Sequence, residues 1–246
     1  MLMVAAVVVV GAQLRLDGGA GAGAGQPDDG DVARGEQLYL TGCVSCHGGD
    51  GVGVDGRGPT LVGTGAASVD FYLTTGRMPA TEGTNEQPER KKPVYDRDET
   101  DALIAYITSL GGDGPPVPEV DLTGAELALG GELFRANCAS CHNASGIGGA
   151  LSYGADAPSL DDSTPVQVVE AMRIGPGEMP VFGEEAFAAE EANAIAAYVQ
   201  YLQHPDDPGG FSLGRVGPVS EGFVALLFGL GGLMAVSVWV VGRRHA

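Results

Sequence analysis

One pentapeptide occurs twice, as Cys43-Val44-Ser45-Cys46-His47 and as Cys138-Ala139-Ser140-Cys141-His142. C-x-x-C-H is the attachment signature of a c-type haem. Two thiols add across the haem vinyl groups, and the adjacent histidine turns its imidazole onto the iron from the same loop. All 4 cysteines of the chain lie in these motifs, so none is left for a disulfide. A zinc ribbon would space its C-x-x-C units by roughly 15–20 residues, whereas Cys43 and Cys138 stand 95 positions apart. Zinc and thiol redox chemistry are therefore set aside, and two covalently bound haem c groups are expected.

The flanking sequence repeats in the same order. Glu36-Gln37-Leu38-Tyr39 answers Gly131-Glu132-Leu133-Phe134, and Gly58-Pro59-Thr60-Leu61 answers Ala157-Pro158-Ser159-Leu160. Further on, Gly76-Arg77-Met78-Pro79 answers Gly177-Glu178-Met179-Pro180, and the stretch 101–107 answers 192–199. Four landmarks in one order twice predict two homologous domains, 27–118 and 119–208, joined through the Pro-rich stretch 114–118. Each reads as a short helix, a haem loop, a middle helix and a closing helix. Thr164 and Pro165 offer an N-cap and a first helical position for the middle helix of the second domain, which Gly175-Pro176 ends. The closing helices place Leu103, Tyr106, Ile107 and Leu110, and then Ile195, Tyr198, Val199 and Leu202, on one face. Gly111-Gly112 and Pro205 stop them. No period-two alternation is long enough to suggest a sheet. The class expected is all-α. Abundant glycine (41 residues) and few aromatics (6%) suit small domains whose interior is completed by a large apolar macrocycle.

His47 and His142 are proximal iron ligands by position. Of 6 methionines, Met1, Met3 and Met234 lie in apolar end segments, leaving Met78 as the candidate sixth ligand of the first domain. The second domain offers Met172 and Met179. Met172 falls on the predicted middle helix, where methionine is usually core filling. Met179 shares the Gly/Pro-rich loop and Met-Pro context of Met78-Pro79 and is preferred. Only His204 and His245 remain among the 4 histidines, so bis-histidine ligation of both haems is impossible within the chain. His/Met ligation raises the reduction potential and leaves no open position for oxygen or peroxide. Such a centre passes electrons. Pro59 and Pro158 are expected to supply the carbonyls that orient the two histidines.

The ends of the chain speak of a membrane. The run Met1 to Gly11 is too short to span a bilayer and has no basic segment before it, so 1–26 reads as an export signal or a partial N-terminal anchor and linker. After a linker over 209–221, the stretch 222–242 holds no charged residue and suffices for one transmembrane helix. Trp239 sits near its end, and Arg243 and Arg244 open a tail (243–246) that the positive-inside rule places in the cytoplasm. The haem domains are thus expected outside the plasma membrane, tethered by a single C-terminal pass in membrane lipid.

The net charge of −19 excludes nucleic acid as a partner. The first domain carries 7 basic and 15 acidic residues, net −8, and the second 2 and 15, net −13. The basic exception is Arg90-Lys91-Lys92 in the polar insert 82–95, either a solvated loop tip or a contact for an acidic neighbour in a complex.

Together these residues resemble the dihaem cytochrome c subunit of the actinobacterial-type cytochrome bcc complex, the menaquinol–cytochrome c reductase. The resemblance runs from Arg34 to the end. It rests on the stretches 35–39 and 43–48, on Gly58-Pro59-Thr60-Leu61, on Thr75-Gly76-Arg77-Met78-Pro79-Ala80, on 131–143, on Gly149-Ala150-Leu151-Ser152 and on Ala157-Pro158. It implies two tandem class I cytochrome c domains and one C-terminal helix. It also implies an electron-transfer subunit with no independent catalytic site, partnered by a cytochrome b subunit and a Rieske iron–sulfur subunit. The first haem would receive electrons from the Rieske subunit, and the second would hand them to the copper centre of an aa-type oxidase in a supercomplex. Three alternatives differ in kind: a dihaem peroxidase, which needs an open iron; a dihaem subunit of a cbb-type oxidase, which usually carries its anchor before the haem domains; and a free-standing tethered shuttle.

Overall fold

A computed structural model of the chain describes residues 29–80, 88–205 and 218–243. The expected export or anchor segment, most of the linker 209–221, the front of the polar insert and the last three residues of the tail lie outside the described residues.

The first unit consists of α1 (Asp29–Gly42), the short α2 (Val44–His47), α3 (Ala66–Thr74) and α4 (Arg97–Ser109). The second repeats it with α5 (Leu127–Asn137), α6 (Ala139–His142), α7 (Pro165–Ile174) and α8 (Ala189–Gln203). In each, the first helix packs across the last, and the middle helix packs against the last. The close crossing has a cause in the sequence. A Cβ built on Gly35 would fall 2.0 Å from the carbonyl oxygen of Ala102, and one on Gly130 would fall 1.9 Å from that of Ala194. Only glycine lets the backbones approach so closely. Beside each crossing an aromatic pair fills the gap: Tyr39 with Tyr106 at 5.2 Å between ring centres, and Phe134 with Tyr198 at 5.5 Å.

The predicted faces are buried. Leu103, Tyr106 and Ile107 join Tyr39, Val69 and Leu73 in the first core, with Leu110 packed at its margin. Ile195 and Val199 join Phe134, Val168, Val169 and Met172 in the second, with Tyr198 and Leu202 at the margin. Capping follows the sequence as well. Thr164 Oγ1 accepts from the Gln167 amide at 3.3 Å and Pro165 opens α7, while the Asp96 side chain accepts from the Glu99 amide at 2.9 Å to start α4.

The architecture is all-helical apart from one correction. Gly149–Ala150 (β1) pairs antiparallel with Asp156–Ala157 (β2) around a 3₁₀ turn over Ser152–Gly154. Two-residue strands cannot show a period of two, which is why no sheet was visible in the sequence. The first unit has a single bridge, Val54 to Gly58, in the corresponding loop.

After the second unit come α9 (Pro218–Val224), a π-helical stretch (Ala225–Leu230) and α10 (Gly231–Arg243). They form one continuous helix over Ser220–Arg243 of 24 residues, long and apolar enough to cross a membrane. Its large apolar side chains, among them Phe223, Phe228, Leu233 and Val238, are exposed among the described residues. That is the exposure expected of a lipid-facing surface rather than a soluble one. Near its end the Arg243 guanidinium lies over the Trp239 ring at 4.3 Å.

Candidate haem sites

Each C-x-x-C-H motif is delivered by a short helix following the first long one. The chain between motif and middle helix is folded back by the same backbone bonds in both units. Gly53 N–H donates to His47 O and Gly148 N–H to His142 O, at 2.9 and 3.0 Å. Leu61 N–H reaches Gly51 O and Leu160 N–H reaches Gly146 O, at 2.7 and 2.8 Å. These closures bring a proline carbonyl to each imidazole. His47 Nδ1 lies 2.8 Å from Pro59 O, and His142 Nδ1 lies 3.0 Å from Pro158 O. A carbonyl can only accept, so Nδ1 carries the proton in both rings and Nε2 is left with its lone pair. Both rings are otherwise buried. Burial lowers the His142 pKa from its ordinary value, against the opposing pull of the Pro158 bond, and so favours the neutral ring a metal requires.

All four thiols are unpaired. Burial first, and then the second cysteine of each pair, pushes Cys43 and Cys138 up to about 11. Redox-active and zinc-binding cysteines sit in surroundings that lower the thiol pKa, and these surroundings do the reverse.

In the first unit a cleft of about 940 Å³ is lined by Cys43, Cys46, His47 and Met78 together, with Val69, Tyr72, Leu73, Pro79, Tyr95 and Ile107 on its walls. That volume is at the upper end of the ~300–1,000 Å³ typical of cofactor sites. Two thiols, an imidazole with a free Nε2 and a thioether around an apolar cleft fit a covalently attached haem. Arg77, beside Met78, is buried with Nε and Nη1 lacking hydrogen-bond partners. Its Cζ lies 5.0 Å from the centre of the Phe71 ring.

In the second unit Met172 is almost fully buried, inside the core of α7 and α8. Met179 lies in the following loop, half-buried at the margin of that core, its amide bonded to Pro176 O at 3.1 Å. The cleft of the first unit is also lined by Gly177, two residues before Met179. The methionine loop of the second unit thus closes one side of the first unit's site. No motif or spacing predicts this proximity.

The units meet along α3 and α7. Arg90, from the basic insert, donates from Nη2 to Asp162 O and to Gln167 Oε1, both at 2.6 Å. Gln167 in turn donates from Nε2 to Thr74 Oγ1 at 3.2 Å. Arg90 is therefore neither a solvated tip nor a contact for an outside partner. It clasps the two units together.

Residues 32–111 match the family described as Cytochrome c, and residues 125–199 match that described as Cytochrome C oxidase, cbb3-type, subunit III. The "Cytochrome bc1 complex cytochrome c subunit" of Mycobacterium tuberculosis is 42% identical over 219 residues, spanning 86% of this chain and 78% of that one. The protein of the same description from Corynebacterium efficiens is 39% identical over 229 residues, 86% of this chain and 77% of that one. The "Cbb3-type cytochrome c oxidase subunit CcoP" of an Azospirillum species is 30% identical over 195 residues, covering 70% of this chain and 62% of that one. With two cytochrome c domains, the covalent haem c attachment such domains imply, and high identity over most of both chains, this protein belongs to the family of cytochrome c subunits of the cytochrome bc1 complex.

Proposed function

We propose that the chain passes electrons through two haem c groups in series within a quinol–cytochrome c reductase, from a Rieske iron–sulfur subunit beside cytochrome b towards an aa-type oxidase. Reversible one-electron storage on iron is the chemistry haem c supplies when bound. Cys43 and Cys46 tether it in the first domain (27–118), and Cys138 and Cys141 in the second (119–208). His47 and His142 present Nε2 to the metal, held in that tautomer by Pro59 O and Pro158 O. Met78 and Met179 would supply the second protein ligand of each iron, leaving neither centre a place for substrate. The helix Ser220–Arg243 keeps both domains at the outer face of the plasma membrane, with Arg243 at the cytoplasmic end.

The observation carrying this reading is the cleft that gathers Cys43, Cys46, His47 and Met78 and takes Gly177 of the second domain into its wall. A residue of the second domain in the wall of the first domain's cleft supports transfer from one domain to the other without a diffusible carrier. Mild-detergent purification of the tagged chain tests the assembly. Cytochrome b, a Rieske protein and an oxidase with a copper-bearing subunit are expected to co-purify, and haem staining is expected to survive denaturing electrophoresis. The likeness of residues 125–199 to the cbb3-type subunit favours a second reading, a dihaem subunit of that oxidase. Recovery of a cbb-type catalytic subunit in place of cytochrome b would decide for it.

A further inference from the structure

The seam between the two domains contains a charged cluster that neither haem site uses. Glu170, at the middle of α7, is completely buried, and Asp70, on the facing α3, is 3% exposed. Asp70 Oδ1 accepts from Arg97 Nη1 of α4 at 2.6 Å, and Arg97 Nη2 also bonds Asp101. Glu170 receives no hydrogen bond at either Oε1 or Oε2. The Asp70 carboxyl, on the α3 helix that packs against α7, is a charged neighbour that acts on it across the seam. Two carboxylates cannot hydrogen bond to one another unless one carries a proton. Asp70 already has Arg97 as its counter-ion, so the proton belongs on Glu170.

We propose that Glu170 is a neutral carboxylic acid that donates its proton to the Asp70 carboxylate across the seam, and that this shared proton fixes the alignment of the two domains for electron transfer between them. Glu170 is thus a positioning residue. The proposal rests on both domains carrying haem. The groups that bear on Glu170 are few. α3 supplies Asp70, α4 supplies Arg97, and α8 turns apolar Ala192, Ile195, Ala196 and Val199 toward α7. Arg90 is engaged by Gln167 and Asp162 O one turn away. Burial, followed by the Asp70 carboxylate, pushes the Glu170 carboxyl up to about 10, with Arg97 opposing. Deprotonation would set two like charges against each other in a buried site, which costs far more than at the surface. The latch therefore holds at neutral pH and fails in alkali. Among the described residues the seam also holds the bonds from Gln167 to Thr74 and from Arg90 to Asp162.

The test uses the full-length, haem-loaded protein in mild detergent. In infrared difference spectra at neutral pH, Glu170→Gln should remove one protonated-carboxyl band present in the wild type. Asp70→Asn should shift that band, because its acceptor has changed. Transfer between domains after flash reduction should lose its fast phase as the wild-type carboxyl titrates. Glu170→Gln, whose amide still donates to Asp70, should keep the fast phase throughout the same range. Glu170→Leu, with no donor, should lack it already at neutral pH. An unchanged carboxyl region in Glu170→Gln, a band unmoved in Asp70→Asn, or the same alkaline loss in Glu170→Gln as in wild type would each overturn the proposal. Failure of one domain to retain its visible haem spectrum in the unmodified chain would instead count against the two-haem reading.

Discussion

The two histidines show how little is needed to fix a ligand. A proline has no N–H, so its carbonyl is a pure acceptor, and each imidazole beside one keeps its proton on Nδ1. The methionines of the second domain differ in burial and in setting, Met172 on α7 and Met179 in the loop that follows. Met172 is sealed into the α7–α8 core, and its own carbonyl accepts from Phe182 N at 2.7 Å. Its thioether is occupied with packing. Met172→Leu is nearly volume-conserving and is expected to cost less than ~1.5 kcal/mol while leaving the visible spectrum alone. Met179→Leu should abolish one sulfur-to-iron charge-transfer band and lower one midpoint potential, because a neutral thioether favours the reduced iron. Redox titration with near-infrared spectra reads both; loss of the band in Met172→Leu would exchange the roles. Glu170 supplies a second prediction at this scale. Its folded pKa, about 10, lies above its ordinary 4.5, so its contribution to stability is greatest below 4.5 and is lost as pH rises through that window. Urea midpoints should fall across that range in the wild type, and the fall should be shallower in Glu170→Gln.

Among the elements, the helix crossings carry the fold. Gly35 and Gly130 are each within a turn of the best-packed aromatic in their unit, and the backbone they touch cannot move without moving the whole closing helix. Gly130→Ala is expected to destabilise by ~1–3 kcal/mol through overpacking. Thr164→Ala, which only removes a cap, should cost ~1 kcal/mol. Chemical denaturation of both variants ranks them, and a neutral Gly130→Ala would mean that α5 and α8 separate at no cost. The helices, their faces and the cap at Thr164 were legible because a period of 3.6 and an N-cap are local properties. The role of Gly35 and Gly130 was not. A glycine inside a helix looks the same in sequence whether it weakens that helix or admits a neighbour. The β1–β2 ladder was hidden by its length. The candidate thiols and histidines were readable from Cys43-Val44-Ser45-Cys46-His47 and its twin, since attachment chemistry demands contiguous residues. The seam was unreadable, since Asp70, Arg90, Arg97, Gln167 and Glu170 come from distant parts of the chain and pass individually for solvated surface.

For the molecule as a whole, charge and connectivity bear on direction. Arg90 of the insert is spent on the seam. An acidic second domain of net −13 therefore faces outside partners with little positive charge of its own. Electrostatic complementarity mostly sets docking rate and orientation, so its partner is expected to offer a basic face and its docking to weaken with salt. The first domain, net −8, differs enough to serve another partner. Gly177, in the Met179 loop, lies in the wall of its cleft, which favours the proposed passage from the first domain to the second. We therefore expect Met78→Leu to block quinol-driven reduction of both domains, because entry fails at the first. Met179→Leu should leave the first domain reducible by quinol and halt oxygen uptake. Stopped-flow reduction in membranes, with the oxidase first inhibited and then active, distinguishes the two. If the second domain is reduced at the wild-type rate in Met78→Leu, electrons reach it without passing through the first, and the serial order is wrong.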